Sequence, residues 1–309
     1  MHKTAFLFAG QGSQYQGMGN EFFDEVPKCH EIYECASDII GFDIAKACFD
    51  SGDPQLIKSQ IAQPCIFATS LAILYCAQTK GITFEAVAGH SLGEYTAMVA
   101  SGMISMEDAF RLVKLRSIAM QRAGEETKGA MCAIIDCNIN IIDDVCKHTP
   151  GYVIISNYNS PIQTVIAGET ASLTKAVFEL SKYSKRIIKL AVGAAYHTLL
   201  MQSAAAEFFE GAKNFSFKNP SVDFYSNVTG DILDDASMEN MPEYLSRHMV
   251  SPVKFYPELQ NMKKAGIKNF VEIGPNKVLT GLAKKTLKSC NISFIENPKT
   301  LQKTLDIIK

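Results

Sequence analysis

One strand–turn–helix segment near residue 90 constrains the fold of this chain more than any other feature. The apolar run Phe84–Gly89 leads into Gly89-His90-Ser91-Leu92-Gly93, which matches the pattern G-x-S-x-G. In that pattern a sharp turn between a strand and a helix exposes the serine hydroxyl at the carboxyl end of a sheet. A helical pattern from Ser91 to Ser101 supplies the required context. The segment predicts an α/β fold with Ser91 as its nucleophile, and a capping serine in an ordinary glycine-rich turn is the alternative.

The rest of the chain reads as strands that alternate with helices. The sequence predicts strands at Thr4–Ala9 and Lys268–Ile273, and helices at Asn20–Asp24, Lys28–Ile40, Ile61–Gln78, Met106–Ala123 and from Lys277 onward. Such alternation is typical of a parallel sheet that helices cover on both faces.

A different pattern occupies the middle of the chain. The predicted order is Ala130–Ile135 (strand), Ile141–His148 (helix), Tyr152–Tyr158 (strand), Thr164–Gly168 (strand), Ala171–Leu180 (helix) and Arg186–Leu190 (strand). This β-α-β-β-α-β order is that of a ferredoxin-like unit. We therefore expect a small ferredoxin-like domain at 124–193, inserted into a large α/β domain formed by 1–123 and 194–309.

Composition limits the classes of partner and the cell compartment. The chain has 309 residues, 47% of them hydrophobic, and a net charge of −2, which gives no indication of nucleic acid or a membrane surface as the main partner. The nine cysteines are odd in number and form no CxxC pair, so neither a disulfide framework nor a metal site is expected. Scattered cysteines favour the reducing cytoplasm, and we find no apolar run that approaches the length of a membrane span.

A serine nucleophile needs a base, and the six histidines differ in their suitability. His197 follows a predicted strand at the return to the large domain and is the best candidate, with His248 in reserve. His90 is adjacent to Ser91, so its side chain is expected to point away. No acidic residue between the serine and the histidine holds an obvious triad position, and Asp136, Asp143 and Asp144 fall in the small domain. We expect a serine–histidine dyad whose imidazole is oriented by a carbonyl or an amide.

Arg116 is the candidate for recognising an anionic group. It lies next to the apolar stripe formed by Leu112, Leu115 and Ala119 on its helix, so it is expected to point inward. A guanidinium matches a carboxylate in a two-pronged hydrogen-bonded pair, and burial without a partner is costly. The alternative is a solvated helix arginine.

Ordered motifs along essentially the whole chain carry a family resemblance. The sequence resembles malonyl-CoA–acyl carrier protein transacylases and the acyltransferase domains of polyketide and fatty acid synthases. The segments that carry it are Phe8-Ala9-Gly10-Gln11-Gly12-Ser13-Gln14, Gln63-Pro64, Gly89-His90-Ser91-Leu92-Gly93-Glu94-Tyr95, Arg116 with Met120-Gln121, Asn157-Tyr158-Asn159-Ser160-Pro161, His197, Ser251-Pro252-Val253 and Glu272-Ile273-Gly274-Pro275.

The resemblance implies a role for each matching residue. Ser91 would be the nucleophile and His197 its base, with the backbone amides of Gln11 and Leu92 in the oxyanion hole. The remaining implied roles are a malonyl-carboxylate clamp at Arg116, a pocket lined by Gln63, Met120 and Tyr196, and a backbone carbonyl at His248 that steadies the imidazole. The implied fold is an α/β-hydrolase-like large domain with a ferredoxin-like small domain.

The implied activity is transfer of a malonyl group from malonyl-CoA to the phosphopantetheine thiol of acyl carrier protein, for fatty acid or polyketide synthesis. Coenzyme A thioester is then a substrate, with no permanently bound cofactor and no metal, and we expect a monomer. Acyl carrier proteins are acidic, so a basic patch would dock them. The two candidate patches are Lys182, Lys185, Arg186 and Lys189, and Lys284, Lys285 and Lys288.

Two positions depart from the family pattern. Tyr196 stands where the malonyl-specific enzymes usually carry serine or phenylalanine, so it is expected to narrow the acyl pocket. Ile162 stands where glycine is common. Three other functions fit parts of the sequence: an acyl hydrolase that unloads carriers, a general esterase or lipase, and an inactive scaffold that binds carrier protein. Arg116, the missing triad acid and the intact Ser91 and His197, respectively, disfavour them.

Overall fold

Two separate sheets organise the chain in the computed structural model, which describes residues 2–50 and 54–308. The strands are β1 (Thr4–Phe8), β2 (Ala86–Gly89), β3 (Gly129–Ile135), β4 (Val153–Ser160), β5 (Gln163–Glu169), β6 (Arg186–Lys189), β7 (Asp223–Phe224), β8 (Asn269–Ile273) and β9 (Asn291–Ile295). One sheet has five strands and the other has four.

Helices surround both sheets. They are α1 (Asn20–Glu25), α2 (Pro27–Ile40), α3 (Ile44–Phe49), α4 (Ser59–Thr79), α5 (Gly93–Ala100), α6 (Met106–Thr127), α7 (Ile139–His148), α8 (Thr170–Leu180), α9 (Gln202–Ala212), α10 (Asp235–Glu239), α11 (Met241–Val250), α12 (Phe255–Lys264), α13 (Val278–Thr286) and α14 (Pro298–Ile308). Short 3₁₀ turns occupy Pro54–Ile57 and Leu199–Met201.

The larger sheet is parallel throughout, with the strand order β7-β2-β1-β8-β9. Successive side chains of β1 point to opposite faces. Phe6 and Phe8 join the core cluster that includes α2, α4 and α6, whereas Ala5 and Leu7 join the cluster that includes α12 and α13. Both faces of the sheet are therefore buried under helices, which confirms the predicted parallel α/β arrangement.

Helix α4 is the most deeply buried long helix of this core. By length and composition it is apolar enough to cross a membrane, which the sequence analysis did not expect, and it is the one such helix found in the described residues. Of its most apolar window, 83% is buried inside the protein, against α2, α3 and α6. Its apolar character is thus used in packing the centre of the larger layer.

The smaller sheet is antiparallel, with the strand order β4-β5-β3-β6 and the predicted β-α-β-β-α-β sequence of elements. Its own apolar core lies between the strands and helices α7 and α8. The chain segments that enter and leave this layer run side by side, since a β-carbon on Gly124 would collide with Ala194 and one on Gly129 with Ala195. The Tyr158 amide donates to the Val253 carbonyl (2.8 Å), which ties β4 to the large layer.

Several element boundaries differ from the prediction. Helix α5 begins at Gly93 because Ser91 has a φ of 55°, which a right-handed helix cannot accommodate. Helix α6 continues to Thr127. Leu115, expected on the buried stripe, is 37% exposed and packs near Gly211.

After residue 193 the sequence predicts only β8 and α13. The structure adds α9, α10, α11, α12, α14, β7 and β9. Strand β7 has two residues, which is too short to show a periodic pattern.

Candidate active site

Ser91 stands on the turn between β2 and α5 in a strained left-handed conformation, with φ 55°. The flanking glycines make this turn possible. A β-carbon on Gly89 would collide with the Gly93 carbonyl, and one on Gly93 would collide with the carbonyl of Phe8 in the neighbouring strand β1. The sheet and helix therefore approach so closely that only glycine fits at both positions, and Ser91 is raised above the carboxyl ends of β1 and β2.

His197 lies directly against this serine. Its Nε2 is 2.7 Å from Ser91 Oγ, and its Nδ1 is 3.0 Å from the carbonyl oxygen of His248 and 3.2 Å from that of Ser251. Because carbonyl oxygens only accept hydrogen bonds, Nδ1 carries the proton and Nε2 is left as the acceptor for the serine hydroxyl. Within the described residues Nδ1 bonds to carbonyls alone, so this is a dyad geometry without an acid.

The electrostatic surroundings keep this imidazole neutral. Burial is the main cause that lowers the pKa of His197, to about 3, and the positive charge of Arg116 lowers it further. A neutral imidazole with a free Nε2 lone pair can accept the serine proton throughout the physiological pH range.

Arg116 is a buried cation that touches the nucleophile. It is 1% exposed, its Nη2 donates to Ser91 Oγ (2.9 Å) and its Nη1 donates to Gln63 Oε1 (2.6 Å). Its Cζ lies 5.4 Å from the centre of the Tyr95 ring. The Nε has no hydrogen-bond partner, and among the described residues no carboxylate lies within ion-pair distance. Burial lowers the pKa of this guanidinium, and its two hydrogen-bond acceptors in the described part of the chain are the neutral oxygens of Gln63 and Ser91.

A chain of polar side chains runs from Arg116 along one wall of the site. Gln63 Nε2 donates to Gln11 Oε1 (3.2 Å) and lies 3.6 Å from Met120 Sδ. The Gln11 amide bonds to Ser59 Oγ (3.2 Å), which in turn is 2.6 Å from the hydroxyl of Tyr196. These bonds fix the wall in one arrangement, because each polar group in it has a partner.

Two backbone amides, those of Gln11 and Leu92, lie in the loops around Ser91. Gln11 follows β1 and Leu92 follows Ser91, and parallel pairing of β1 with β2 brings both to one sheet edge. The loop after β1 presses against the turn, since a β-carbon on Gly10 would collide with the His90 carbonyl. Neither amide donates a hydrogen bond within the described residues, so both are free to bind an oxyanion.

The two remaining histidines of interest are held away from Ser91 Oγ. His248 Nε2 is 3.3 Å from Asn227 Oδ1, its ring centre lies 5.3 Å from that of His197, and its backbone carbonyl accepts a hydrogen bond from His197 Nδ1. His90 Nε2 is 2.9 Å from Asn159 Oδ1. Of the two candidate bases, His197 is therefore the one within hydrogen-bond distance of Ser91 Oγ.

All nine side chains or amides that the sequence singled out meet at this site, together with residues that it did not. Ser59, Asn227 and Glu258 carry no motif and were missed. Glu94 and Ser251 lie inside quoted motifs, but no role was predicted for either. In the described part of the chain, no group of three or more His, Cys, Asp or Glu side chains is arranged to hold a metal ion.

Comparisons by sequence match one family of known proteins. The acyl transferase domain family matches residues 5–304. A malonyl CoA-acyl carrier protein transacylase of Bacillus subtilis (strain 168) is 34% identical over 100% of this chain and 98% of its own length. That of Escherichia coli (strain K12) is 32% identical over 99% and 100%.

Solved structures agree with these sequence relatives. The malonyl CoA-acyl carrier protein transacylase of Clostridium perfringens superimposes with a TM-score of 0.93 at 37% identity, covering 98% of this chain and 96% of that one. A malonyl-transacylase in complex with its type II PKS acyl-carrier protein superimposes with a TM-score of 0.93 at 33% identity, covering 98% and 99%.

Proposed function

The chain belongs to the acyl transferase family, and we propose that it moves a malonyl group from malonyl-CoA to the phosphopantetheine thiol of an acyl carrier protein through an ester on Ser91. The observation that carries this proposal is Arg116, a buried cation that touches the nucleophile and has no anionic partner among the described residues. A malonyl thioester carries a free carboxylate, which is the anionic partner that this guanidinium lacks.

The first half-reaction loads the enzyme. His197 Nε2 takes the Ser91 proton as Oγ attacks the thioester carbonyl, and the resulting oxyanion accepts hydrogen bonds from the amides of Gln11 and Leu92. When the tetrahedral adduct collapses, the carbon–sulfur bond breaks and coenzyme A leaves as a thiol with the proton from His197. Arg116 holds the malonyl carboxylate through both steps, so the acyl group stays aligned.

The second half-reaction transfers the malonyl group from Ser91 to the carrier by the same steps in reverse. The carrier's pantetheine thiol gives its proton to His197 and attacks the malonyl ester, and the same two amides stabilise the oxyanion. Ser91 then leaves as an alkoxide and recovers its proton from His197. Because coenzyme A leaves the malonyl-enzyme before the carrier thiol attacks it, the cycle is a ping-pong transfer. The pathway is fatty acid or polyketide synthesis, coenzyme A thioester is a substrate, and the cycle uses no permanently bound cofactor or metal.

The carrier protein docks beside the cleft between the two sheets. The two basic patches of the sequence analysis contribute to one cleft of about 630 Å³, which Lys185, Arg186 and Lys285 line together with Ile162 and Val278. All three cationic side chains are exposed. An acidic carrier with a few apolar side chains complements such a surface in charge and in character, and the structure of a related transacylase with its carrier supports a complex of this kind.

The same proposal covers the domain organisation and the cell compartment. Residues 1–123 and 194–309 form an α/β-hydrolase-like domain and 124–193 a ferredoxin-like one. The strand order of the smaller sheet and the adjacent crossing segments support this division.

Nine thiols without a disulfide among the described residues favour the cytoplasm. The chain acts as a monomer, since one copy supplies every residue of the site.

The decisive experiment is the intact mass of the protein after brief exposure to malonyl-CoA and, separately, to acetyl-CoA. We expect a malonyl adduct that Ser91→Ala abolishes and that clears only when acyl carrier protein is added. An adduct that disappears into water without carrier would instead identify an acyl hydrolase. No adduct from either donor would reject the loading reaction.

A further inference from the structure

A buried polar cluster lies beneath the Ser91 turn, and the reaction above does not use it. Its centre is Asn227, which lies in the loop after β7 and has no exposed side-chain surface. The cluster also contains two fully buried carboxyl groups, Glu94 and Glu258. Buried polar groups of this kind are costly unless each is matched, so their arrangement is informative.

The side-chain amide of Asn227 bonds to both ends of the turn. Its Oδ1 accepts from the Ser91 backbone N–H (2.7 Å), and its Nδ2 donates to the Gly89 carbonyl (2.6 Å). The second Nδ2 hydrogen goes to Glu258 Oε1 (2.7 Å). One amide therefore supplies an acceptor to the N–H and a donor to the C=O that flank His90, a pattern that no other neutral side chain of this length offers.

Asn227 is itself held in place from two sides. Its backbone N–H donates to Glu94 Oε1 (2.6 Å), and its backbone carbonyl accepts from the Lys254 amide (2.9 Å). The hydroxyl of Tyr244 lies 3.0 Å from each oxygen of the Glu94 carboxyl. The amide of Asn227 thus has a fixed orientation before any substrate binds.

Burial of the two carboxyl groups favours their neutral forms. Glu258 Oε2 is buried without a hydrogen bond in the described structure, a position that disfavours a charged carboxylate. Burial raises the pKa of Glu94 to about 8 and that of Glu258 well above its ordinary value. Replacement of Glu258 by glutamine is therefore expected to preserve the bond to Asn227.

We infer that Asn227 is a positioning residue whose side-chain amide holds the Ser91 backbone in the left-handed conformation that directs Oγ to His197. A serine with φ 55° is strained and returns toward right-handed geometry unless its surroundings prevent it. Loss of the amide would let Ser91 turn away from Nε2 and would move the Leu92 amide with it. This inference rests on the proposed function only in taking Ser91 as the nucleophile.

The test compares Asn227→Ala with Asn261→Ala in the full chain. Asn261 is a matched control, because its Nδ2 also donates to a backbone carbonyl, that of Gly230 (2.9 Å), away from Ser91. The rate of Ser91 labelling by a small fluorophosphonate and the kinetics with malonyl-CoA are measured, and circular dichroism verifies folding. We expect labelling and kcat to fall by roughly 100-fold in Asn227→Ala with KM within about threefold, and no change in the control.

Asn227→Asp gives a second readout that a purely structural role would not move. A carboxylate accepts from the Ser91 N–H, and it lies beside His248 Nε2, which is 3.3 Å from Asn227 Oδ1 in the wild type, and the protonated Glu258. It has no donor for the Gly89 carbonyl, which loses its hydrogen bond. Protonation restores one donor, so labelling relative to wild type is expected to rise as the pH falls from 8 to 5. The same ratio stays flat for a folded Asn227→Ala. If Asn227→Ala does not fold, the pH response of Asn227→Asp carries the test.

The outcomes separate this inference from the proposed function. Equal labelling of wild type and Asn227→Ala, or a folded Asn227→Asp without acid recovery, would overturn the positioning role. If the wild type labels at Ser91 but forms no malonyl ester, the proposed substrate is wrong and the labelling rates still decide the role of Asn227. A wild type that does not label at Ser91 would overturn both.

Discussion

The hydroxyl of Ser91 lies between a base and a cation: His197 Nε2 is 2.7 Å away and Arg116 Nη2 is 2.9 Å away. Because the hydroxyl has one proton, it donates to the imidazole and accepts from the guanidinium. The guanidinium thus favours the alkoxide that forms during attack, and it also stands where a carboxylate on the acyl group would bind. A single arginine is therefore expected to serve activation and selection.

Replacement of Arg116 separates these two contributions. We expect Arg116→Ala to lower kcat/KM for malonyl-CoA by roughly 100- to 1,000-fold, as for the loss of two charge-assisted hydrogen bonds. Acetyl-CoA has no carboxylate and loses only the contribution to activation, so the malonyl-to-acetyl ratio falls. Arg116→Lys keeps the charge but loses the two-pronged geometry, so its malonyl-to-acetyl ratio should lie between those of the wild type and Arg116→Ala. An unchanged ratio, measured as competitive loading of Ser91, would refute the carboxylate clamp.

The pH dependence of loading follows from the environment of His197. Burial, assisted by the charge of Arg116, lowers the pKa of His197 to about 3. The active form is the neutral imidazole, so activity is lost only as the pH falls through that low pKa. Labelling of Ser91 by a fluorophosphonate should therefore be nearly constant from pH 7 down to 5. In Arg116→Gln the pKa of His197 rises, so the loss of labelling in acid should occur at a higher pH than in the wild type. A wild-type limb centred near the ordinary histidine value of about 6.5 would contradict this.

The sequence predicts those parts of the site that local chemistry encodes. Ser91 is recognisable because the strand, the turn and the helix that position it are contiguous, and β1 and β2 could be located from apolar runs alone. Ser59 and Asn227 are different. They act through side-chain bonds to Tyr196 and to the Ser91 amide, 137 and 136 residues away in sequence. Neither has a spacing or a composition that marks it, because packing of distant elements creates its role.

Leu115 and His248 show the converse case, in which the sequence suggests a position or a role that tertiary packing changes. Helical periodicity places Leu115 on an apolar stripe, yet the neighbouring helix α9 leaves it 37% exposed. Chemistry alone makes His248 a candidate base. Its position on α11 instead directs the imidazole Nε2 toward Asn227, and its hydrogen bond to His197 is made by the backbone carbonyl.

We expect the ring of Tyr196 to limit the width of the acyl pocket. The two hydroxyl oxygens are 2.6 Å apart, so the tyrosine ring is fixed against the pocket wall. Tyr196→Ser should enlarge the pocket and raise methylmalonyl-CoA loading relative to malonyl-CoA by roughly 10-fold, about the effect of one methyl group in a tight site. Tyr196→Phe keeps the ring and should leave this ratio unchanged, at a cost of about 1 kcal/mol in stability. Equal ratios in all three proteins would show that Tyr196 does not limit the pocket.

Charge reversal tests the docking cleft. The combined change of Lys185, Arg186 and Lys285 to glutamate should raise the KM for acyl carrier protein by about 10-fold or more through like-charge repulsion. Loading from malonyl-CoA, measured by mass in the absence of carrier, should be unaffected. Lys80→Glu is the control, because this exposed lysine follows α4 and precedes β2, at the sheet edge opposite the site. A KM that does not change would move the docking surface elsewhere.

Glu94 makes the stability of the protein depend on pH with a definite sign. Burial raises its pKa in the folded protein to about 8, from an ordinary value of 4.5. The folded state therefore keeps a proton that the unfolded chain releases, and this stabilisation is complete below pH 4.5 and is lost as the pH rises through 8. Glu94→Gln resembles the protonated form at every pH. Between pH 5 and 8 its free energy of unfolding should therefore increase relative to that of the wild type, by up to about 1.4 kcal/mol per pH unit. Glu126→Gln, at an exposed position on α6, is the control. The free energies of unfolding of both proteins are measured by urea denaturation. A difference between wild type and Glu94→Gln that stays constant from pH 5 to 8 would show that Glu94 is ionised in the folded protein.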